Sequence, residues 1–315
     1  MELCSCVTWF LCSVLLILSV LYTLYILIPP LISLSSSLQH RVLFLNFVRW
    51  PYMNYGQMRG VKYKARNFYL QNEPERLGVW QVTPAALQGD IIDWESCLSQ
   101  FGYPIVIYCH GNTCDRAQPS RVHMYNLLAS NNYHVLALDY RGYGDSTGWP
   151  SEKGVVSDVK ALISWAQERA GSNAVFVWGH SLGTAISTKA LVDLSKVGQC
   201  PSGLILESPF NNLREIISAH PVGQYQWWSG FDALVQSMNS NGLYMNTDER
   251  ISDVGCPVMI LHAEDDNTVP VELGRKLEAK ALEAGVQVEF HEFDGDRNFG
   301  HKAICEAEEL PEILE

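Results

Sequence analysis

Hydrophobic positions along the chain fall into two regimes. Val7 to Ile28 is an unbroken run with no charged residue, rich in Leu, Val, Ile and aromatics, and closed by Pro29-Pro30. At about 1.5 Å per residue such a helix covers about 33 Å, enough for the ~30 Å hydrocarbon core of a bilayer. A cleaved signal peptide is the competing reading. It fits less well, because the N-terminus carries Glu2 without Lys or Arg and the run exceeds a usual signal core. Residues 1–34 are therefore expected to be an uncleaved transmembrane anchor. Downstream, Leu43, Phe44, Leu45, Phe47, Val48 and Trp50 are interspersed with Arg41 and Arg49. That pattern suits an interfacial linker over residues 35–61, with aromatics at headgroup depth and cations reaching water. It suits a helix packed on the following domain equally well.

From Lys62 onward short apolar runs alternate with helical periods. Lys62–Leu70 and Leu77–Val82 read as strands of an antiparallel hairpin. Further strands are expected at Ile105–Tyr108, Tyr133–Asp139, Asn173–Trp178, Gly203–Glu207, Val258–His262 and Val286–Phe293. Helices are expected at Arg121–Ala129, Gly154–Arg169, Thr184–Val197 and Val271–Glu283. Strands alternating with helices imply an α/β domain, residues 62–315, with a mostly parallel sheet covered on both faces. Pro209 to Cys256 interrupts this rhythm and is long for a connector. It holds Tyr225, Trp227, Trp228, Phe231 and Tyr244, so residues 209–256 are expected to form a cap over an apolar pocket.

Composition narrows the field by exclusion. The 315 residues carry a formal net charge of -12 and no basic stripe, which excludes nucleic acid as a partner. The nine cysteines form no paired C-x-x-C motifs, and no His-Glu-x-x-His occurs. Neither a metal site nor a disulfide framework is read, and no cofactor is called for.

Chemistry enters at Trp178-Gly179-His180-Ser181-Leu182-Gly183-Thr184. A Gly-x-Ser-x-Gly between a strand and a helix has the context of a nucleophile elbow, in which Ser181 is held in a strained turn with its hydroxyl exposed. A serine needs a base to take its proton, and the base needs an orienting acid. His301 lies in the loop after the last strand. Asp-x-x-Val-Pro spacing selects Asp266 as the acid, with Asp265 as the alternative and Glu207 as a third candidate. His134, His262 and His291 fall on strands and read as structural, and His180 shapes the elbow. The oxyanion needs two backbone N–H donors. Leu182 follows the nucleophile, and Asn112 belongs to the His110-Gly111-Asn112 loop. His110-x-x-x-x-Asp115 also matches an acyltransferase pattern, but it overlaps this loop.

Several stretches go beyond a generic fold of this kind. Arg66 to Gln71, His110-Gly111-Asn112, Asp139 to Ser146, Trp178 to Thr184, Leu204 to Phe210 and Leu261 to Pro270 occur in order between Lys62 and Leu314. Together they resemble the α/β-hydrolase domain-containing protein 12 group, the membrane-anchored lysophosphatidylserine lipases. The resemblance implies an α/β-hydrolase fold, an endoplasmic-reticulum membrane location and hydrolysis of the acyl ester of lysophosphatidylserine and monoacylglycerols. Carried over by position, the triad is Ser181, Asp266 and His301. The resemblance puts the catalytic domain in the lumen. Arg41 and Arg49 put it in the cytoplasm by the positive-inside rule, and the long basic N-terminus of the group is only a few residues here. Ending at Glu315, early in the expected last helix, implies a slightly less stable domain.

The expected partners are thus a single-chain lipid and the bilayer. A phosphodiester headgroup calls for a cation near the pocket, for which Arg141, Arg214 and Lys302 are candidates. Two other readings remain at this stage: a protein depalmitoylase acting on thioesters, and a non-enzymatic scaffold or adhesion module.

Overall fold

A computed structural model describes residues 2–49, 54–87, 93–100, 102–219 and 230–314, without the side chains of 2–8, 11, 24, 25, 28 and 29. Eight strands form one sheet: β1 (Ala65–Asn72), β2 (Glu75–Val82), β3 (Ile105–Cys109), β4 (His134–Leu138), β5 (Val175–His180), β6 (Gly203–Glu207), β7 (Val258–Ala263) and β8 (Val288–Phe293). Their spatial order is β1-β2-β4-β3-β5-β6-β7-β8. β2 runs antiparallel to both β1 and β4, and the remaining pairs are parallel. Every residue of β3, β4 and β6 is buried. That is why these segments read as short continuous apolar runs rather than as alternating ones.

The helices that cover the sheet are α3 (Pro119–Ser130), α4 (Glu152–Ala170), α5 (Leu182–Ser195) and α9 (Val271–Glu283). α3 starts at a proline, whose missing N–H costs nothing in a first turn. The Ser151 hydroxyl accepts the Gly154 N–H at 3.2 Å and caps α4. One core lies on each face of the sheet. Leu77, Ile107, Leu136 and Val177 point towards α4 and α5, and Trp80, Val106, Tyr108 and Val135 towards α3.

Several boundaries shift by a few residues from the hydrophobic pattern, and two have a clear cause. β5 continues through Gly179 to His180, because both pair with β6 at Leu206 and Glu207. β8 starts at Val288, since Gly285 (φ +76°) still turns the chain out of α9.

N-terminal to the sheet, α1 (Glu2–Leu34) and α2 (Ser36–Phe44) are consecutive helices. Among the described residues no helix is long and apolar enough to cross a membrane. The predicted span Val7–Ile28 includes 7, 8, 11, 24, 25 and 28, whose side chains lie outside the described set. Most of its described apolar residues, Leu15 to Leu18 and Val20 to Tyr22 among them, are exposed. α2 is exposed at Ser36, Ser37, Arg41 and Val42, while Gln39 is buried and Phe44 is completely buried in the main core.

The interruption after β6 contains α6 (Leu213–Ala219), α7 (Phe231–Ser240) and α8 (Thr247–Arg250). Trp50 of the expected linker and Gly223, Tyr225, Trp227 and Trp228 of the expected cap lie outside the described residues. α7 packs on α1 through a buried polar node. There Gln39 Nε2 donates to Ile32 O (3.1 Å) and Ser237 Oγ (2.9 Å), and Gln39 Oε1 accepts from Asn241 Nδ2 (2.8 Å). The chain closes with the single turn α10 (Leu310–Ile313).

Candidate active site

β5 passes directly into α5 at Ser181, which has φ +54° and ψ −118°. A side-chain-bearing residue pays for that conformation, and it persists only where surroundings enforce it. Here the Ser181 N–H donates to Glu207 O at 2.9 Å, and the carbonyl accepts from the Thr184 N–H at 2.9 Å. A Cβ on Gly179 would lie 2.5 Å from Ser187 Oγ, and one on Gly183 would lie 2.0 Å from Cys109 O. Both glycines are thus demanded by how closely α5 approaches the ends of β5 and β3.

The loop after β3 lies against this turn. A Cβ on Gly111 would meet Ser181 Cβ at 3.3 Å. His110 is 1% exposed, with Nδ1 2.7 Å from Gly111 O and Nε2 3.3 Å from Asp139 Oδ1. Burial pushes its pKa down. Tyr140 Oη donates to His110 O (2.9 Å) and Tyr143 Oη to Asn112 O (3.1 Å). Asp115 accepts instead from Tyr55 Oη (3.0 Å) and the Ala117 amide (3.0 Å). The two ends of His110-x-x-x-x-Asp115 therefore have separate partners, which removes the basis of the acyltransferase pattern.

Between the candidate acids the geometry is unambiguous. Asp266 Oδ2 lies 2.7 Å from His301 Nδ1, while Oδ1 accepts the Thr268 and Val269 N–H groups at 2.8 and 2.9 Å. Burial opposes the charge on Asp266, but these bonds, with His262 Nε2 3.6 Å away, hold its carboxyl well below the usual range. Asp265 takes the Gly300 N–H with both oxygens at 2.9 Å and so ties down the loop that carries His301. Glu207 accepts from Trp178 Nε1 at 2.7 Å. It is buried, which together with the charge of Asp266 raises its pKa to about 7. His180 Nε2 lies 2.8 Å from His301 O, and the two rings are 4.9 Å apart.

Ser181, Leu182, Asn112 and His301 line one cleft of about 290 Å³ at the C-terminal ends of the strands. His301 Nδ1 is committed to Asp266, which leaves Nε2 as its other ring nitrogen. The lining of the cleft is mixed: Leu43, Leu45, Phe210, Ile216 and Val269 are apolar, and Thr113, Arg121, Thr268 and Lys302 are polar. A larger cavity of about 470 Å³ lies near the opposite ends of the strands, lined by Phe176, Met259 and Leu314, away from these groups. Phe210 and Ile216 are the described contribution of the 209–256 segment to the cleft.

Of the cations considered for a headgroup, Arg141 is committed to Asp158 (2.6 Å) and Arg214 to Asp232, whereas Lys302 stands at the cleft. Arg121 escaped sequence reasoning. It is 3% exposed, and its guanidinium donates to Asp115 O and Thr113 O at 2.7 Å each, pinning the loop from below. Its signal was a cation in the first turn of a helix, where the helix dipole opposes it. Leu43 and Leu45 were also missed as cleft residues. His262, expected only to fill a strand position, in addition faces Asp266.

Residues 104–240 match the family model described as serine aminopeptidase, S33. The chain is 40% identical over 306 residues to the lysophosphatidylserine lipase ABHD12 of Danio rerio, covering 92% of this chain and 80% of that protein. Against the lysophosphatidylserine lipase ABHD12 of Macaca fascicularis it is 41% identical over 305 residues, covering 92% and 76%. Human protein ABHD12B is 35% identical over 245 residues, 75% of this chain and 67% of that one. Among solved structures, an alpha-beta hydrolase from Vibrio vulnificus superposes with a TM-score of 0.68 at 20% identity, over 88% of this chain and 91% of that one. An esterase from Pyrococcus furiosus superposes with a TM-score of 0.61 at 16% identity, over 84% and 93%. Both similarities establish the shared fold.

Proposed function

The chain belongs to the ABHD12 lysophosphatidylserine lipase family and is a serine ester hydrolase, and from that premise we propose that it cleaves the acyl ester of lysophosphatidylserine and of monoacylglycerols with Ser181, His301 and Asp266. The observation that carries the reading is the 2.7 Å contact of His301 with Asp266, beside a cleft that His301 shares with Ser181.

In this mechanism His301 Nε2 takes the Ser181 proton as Oγ attacks the acyl carbonyl. Asp266 fixes the imidazole tautomer and offsets the positive charge that the ring acquires. The Leu182 and Asn112 N–H groups stabilise the oxyanion, for which loss of one donor costs ~10²–10³ in turnover. His301 returns the proton to the departing glycerol oxygen. Water then hydrolyses the acyl-enzyme by the same steps in reverse, and no cofactor takes part. The apolar side chains of the lining take the acyl chain, and the polar ones, Lys302 among them, face the headgroup.

On this reading residues 1–34 anchor the enzyme in the endoplasmic-reticulum membrane, residues 35–61 link the anchor to the catalytic domain, and 209–256 cap the cleft. Single-chain lipids partition into the bilayer, so an anchor raises their concentration at the cleft. The test is a panel of lysophosphatidylserine, monoacylglycerol and a palmitoyl-peptide, incubated with membranes carrying wild type or Ser181→Ala. Hydrolysis of the first two by wild type alone is expected. Preferential thioester cleavage would replace the lipase reading, and full activity of Ser181→Ala would end it.

A further inference from the structure

The end of α2 and the short segment that follows it touch the active site at several points. α2 closes at Leu45, whose φ of +46° puts a branched side chain in the left-handed region. Such a conformation is unfavourable for leucine and is retained only where neighbours over-determine it. Leu45 itself bonds locally, its N–H donating to Arg41 O at 3.0 Å and its carbonyl accepting the Val48 N–H at 2.9 Å, and the residues around it reach the cleft and its loops. Leu43 and Leu45 are among the apolar residues that line the cleft. Asn46 is buried and donates through Nδ2 to Gly142 O at 3.1 Å. Val48 O accepts the Cys114 N–H at 2.9 Å, and Cys114 follows the oxyanion loop with its own φ of +59°.

Tyr143 joins the two segments. Its ring is fully buried, with centroid distances of 5.0 Å to His110 and 5.7 Å to Tyr140. Its hydroxyl meets both Phe44 O, from the end of α2, and Asn112 O, 3.1 Å away on the oxyanion loop. A phenol has one proton to donate, so the two carbonyls share it, and both backbone segments are drawn to one point. Holding the carbonyl of Asn112 restricts rotation of the residue whose N–H faces the oxyanion.

We propose that residues 43–48 form a strap that is part of the active site: Leu43 and Leu45 wall the acyl-binding part of the cleft, and Tyr143 is a positioning residue that couples the strap to the oxyanion loop. This rests on the reading that Asn112 donates to the oxyanion. The strap directly continues the N-terminal helices, so the membrane-facing part of the chain and the catalytic loop form one mechanical unit. Displacing the strap opens the acyl wall and loosens the oxyanion donor together.

Tyr143→Phe, made in the full chain, retains the ring and removes only the shared proton. With the short ester p-nitrophenyl butyrate, which does not fill the acyl-binding part, kcat per folded enzyme is expected to fall about tenfold, less than for outright loss of a donor. KM should stay within about twofold, and fluorophosphonate labelling of Ser181 should slow in parallel. A lowered unfolding midpoint with unchanged kcat and labelling rate would mark Tyr143 as merely structural and overturn the coupling. Leu45→Gly removes the wall side chain while relieving the left-handed backbone, so misfolding does not obscure its readout. It is expected to shift the acyl preference among saturated monoacylglycerols towards bulkier chains, and an unchanged preference would overturn the wall role. A wild-type-like Tyr143→Phe alongside an inactive Ser181→Ala defeats the strap alone. An active Ser181→Ala defeats the mechanism on which it rests.

Discussion

Asp265 and Asp266 are adjacent in the chain and hold the same loop by different means: Asp265 grips the Gly300 N–H with both oxygens at 2.9 Å, and Asp266 contacts His301 Nδ1 at 2.7 Å. One carboxylate positions the backbone and the other orients the imidazole. Asp266→Asn leaves the loop in place but favours the wrong tautomer of His301. A fall in kcat on the order of 10⁴ is expected, with little change in KM. Asp265→Asn should act mainly on stability, by about 1 kcal/mol, because a charged acceptor for a backbone N–H is replaced by a neutral amide oxygen. Steady-state kinetics and thermal unfolding of the two variants side by side check this assignment. Equal losses of kcat would contradict it.

Gly183 is constrained by backbone rather than by a movable side chain. In Gly183→Ala the new Cβ would lie 2.0 Å from Cys109 O, so the start of α5 has to move away from β3. Destabilisation of about 1–3 kcal/mol is expected from overpacking, together with a displaced Leu182 donor. Both a lowered unfolding midpoint and slower fluorophosphonate labelling should appear. A variant that labels at the wild-type rate would show that α5 tolerates the shift.

Glu207 gives the fold a specific pH dependence. Its pKa rises from 4.5 when exposed to about 7 in the folded chain, through burial and the charge of Asp266. Between those values the folded state holds a proton that the unfolded state has lost. The contribution of Glu207 is therefore fully present below about pH 4.5 and is lost as pH rises through about 7, on the order of 3 kcal/mol in all. Glu207→Gln retains a polar partner for Trp178 and does not titrate. Its unfolding midpoint should fall less than that of wild type between about pH 5 and about pH 8. Parallel curves for the two proteins would rule out this role.

The strand–helix alternation and the motifs around Ser181, Asp266 and His301 are local signals, and for that reason they stand out in the sequence. Each depends on a few neighbouring residues: glycines at an elbow, Asp-x-x-Val-Pro after a strand, a histidine after the last strand. Contacts between distant parts of the chain left no such trace. Nothing near Leu45 indicates that it meets a cleft built from residues 111 to 302. Tyr143 touches Phe44, far earlier in the chain, through a single hydroxyl. The alternating apolar and cationic residues after Arg41 were compatible with an interface or with packing. In the structure Phe44 is buried, whereas Val42, Phe47 and Val48 are exposed, so packing and exposure coexist in this segment. A cation in a helix first turn, as at Arg121, was a legible anomaly whose purpose only the carbonyls of Thr113 and Asp115 reveal.

The proposed catalysis depends most on Ser181 forming a covalent acyl-enzyme with a single-chain lipid. The direct measurement is intact-protein mass spectrometry of the full chain, acid-quenched during turnover of lysophosphatidylserine, with Ser181→Ala beside it. An added mass equal to the acyl group is expected, mapping to the peptide that contains Ser181 and absent from the variant. Hydrolysis of the lipid at the wild-type rate by Ser181→Ala, or an acyl adduct on another residue, would contradict it.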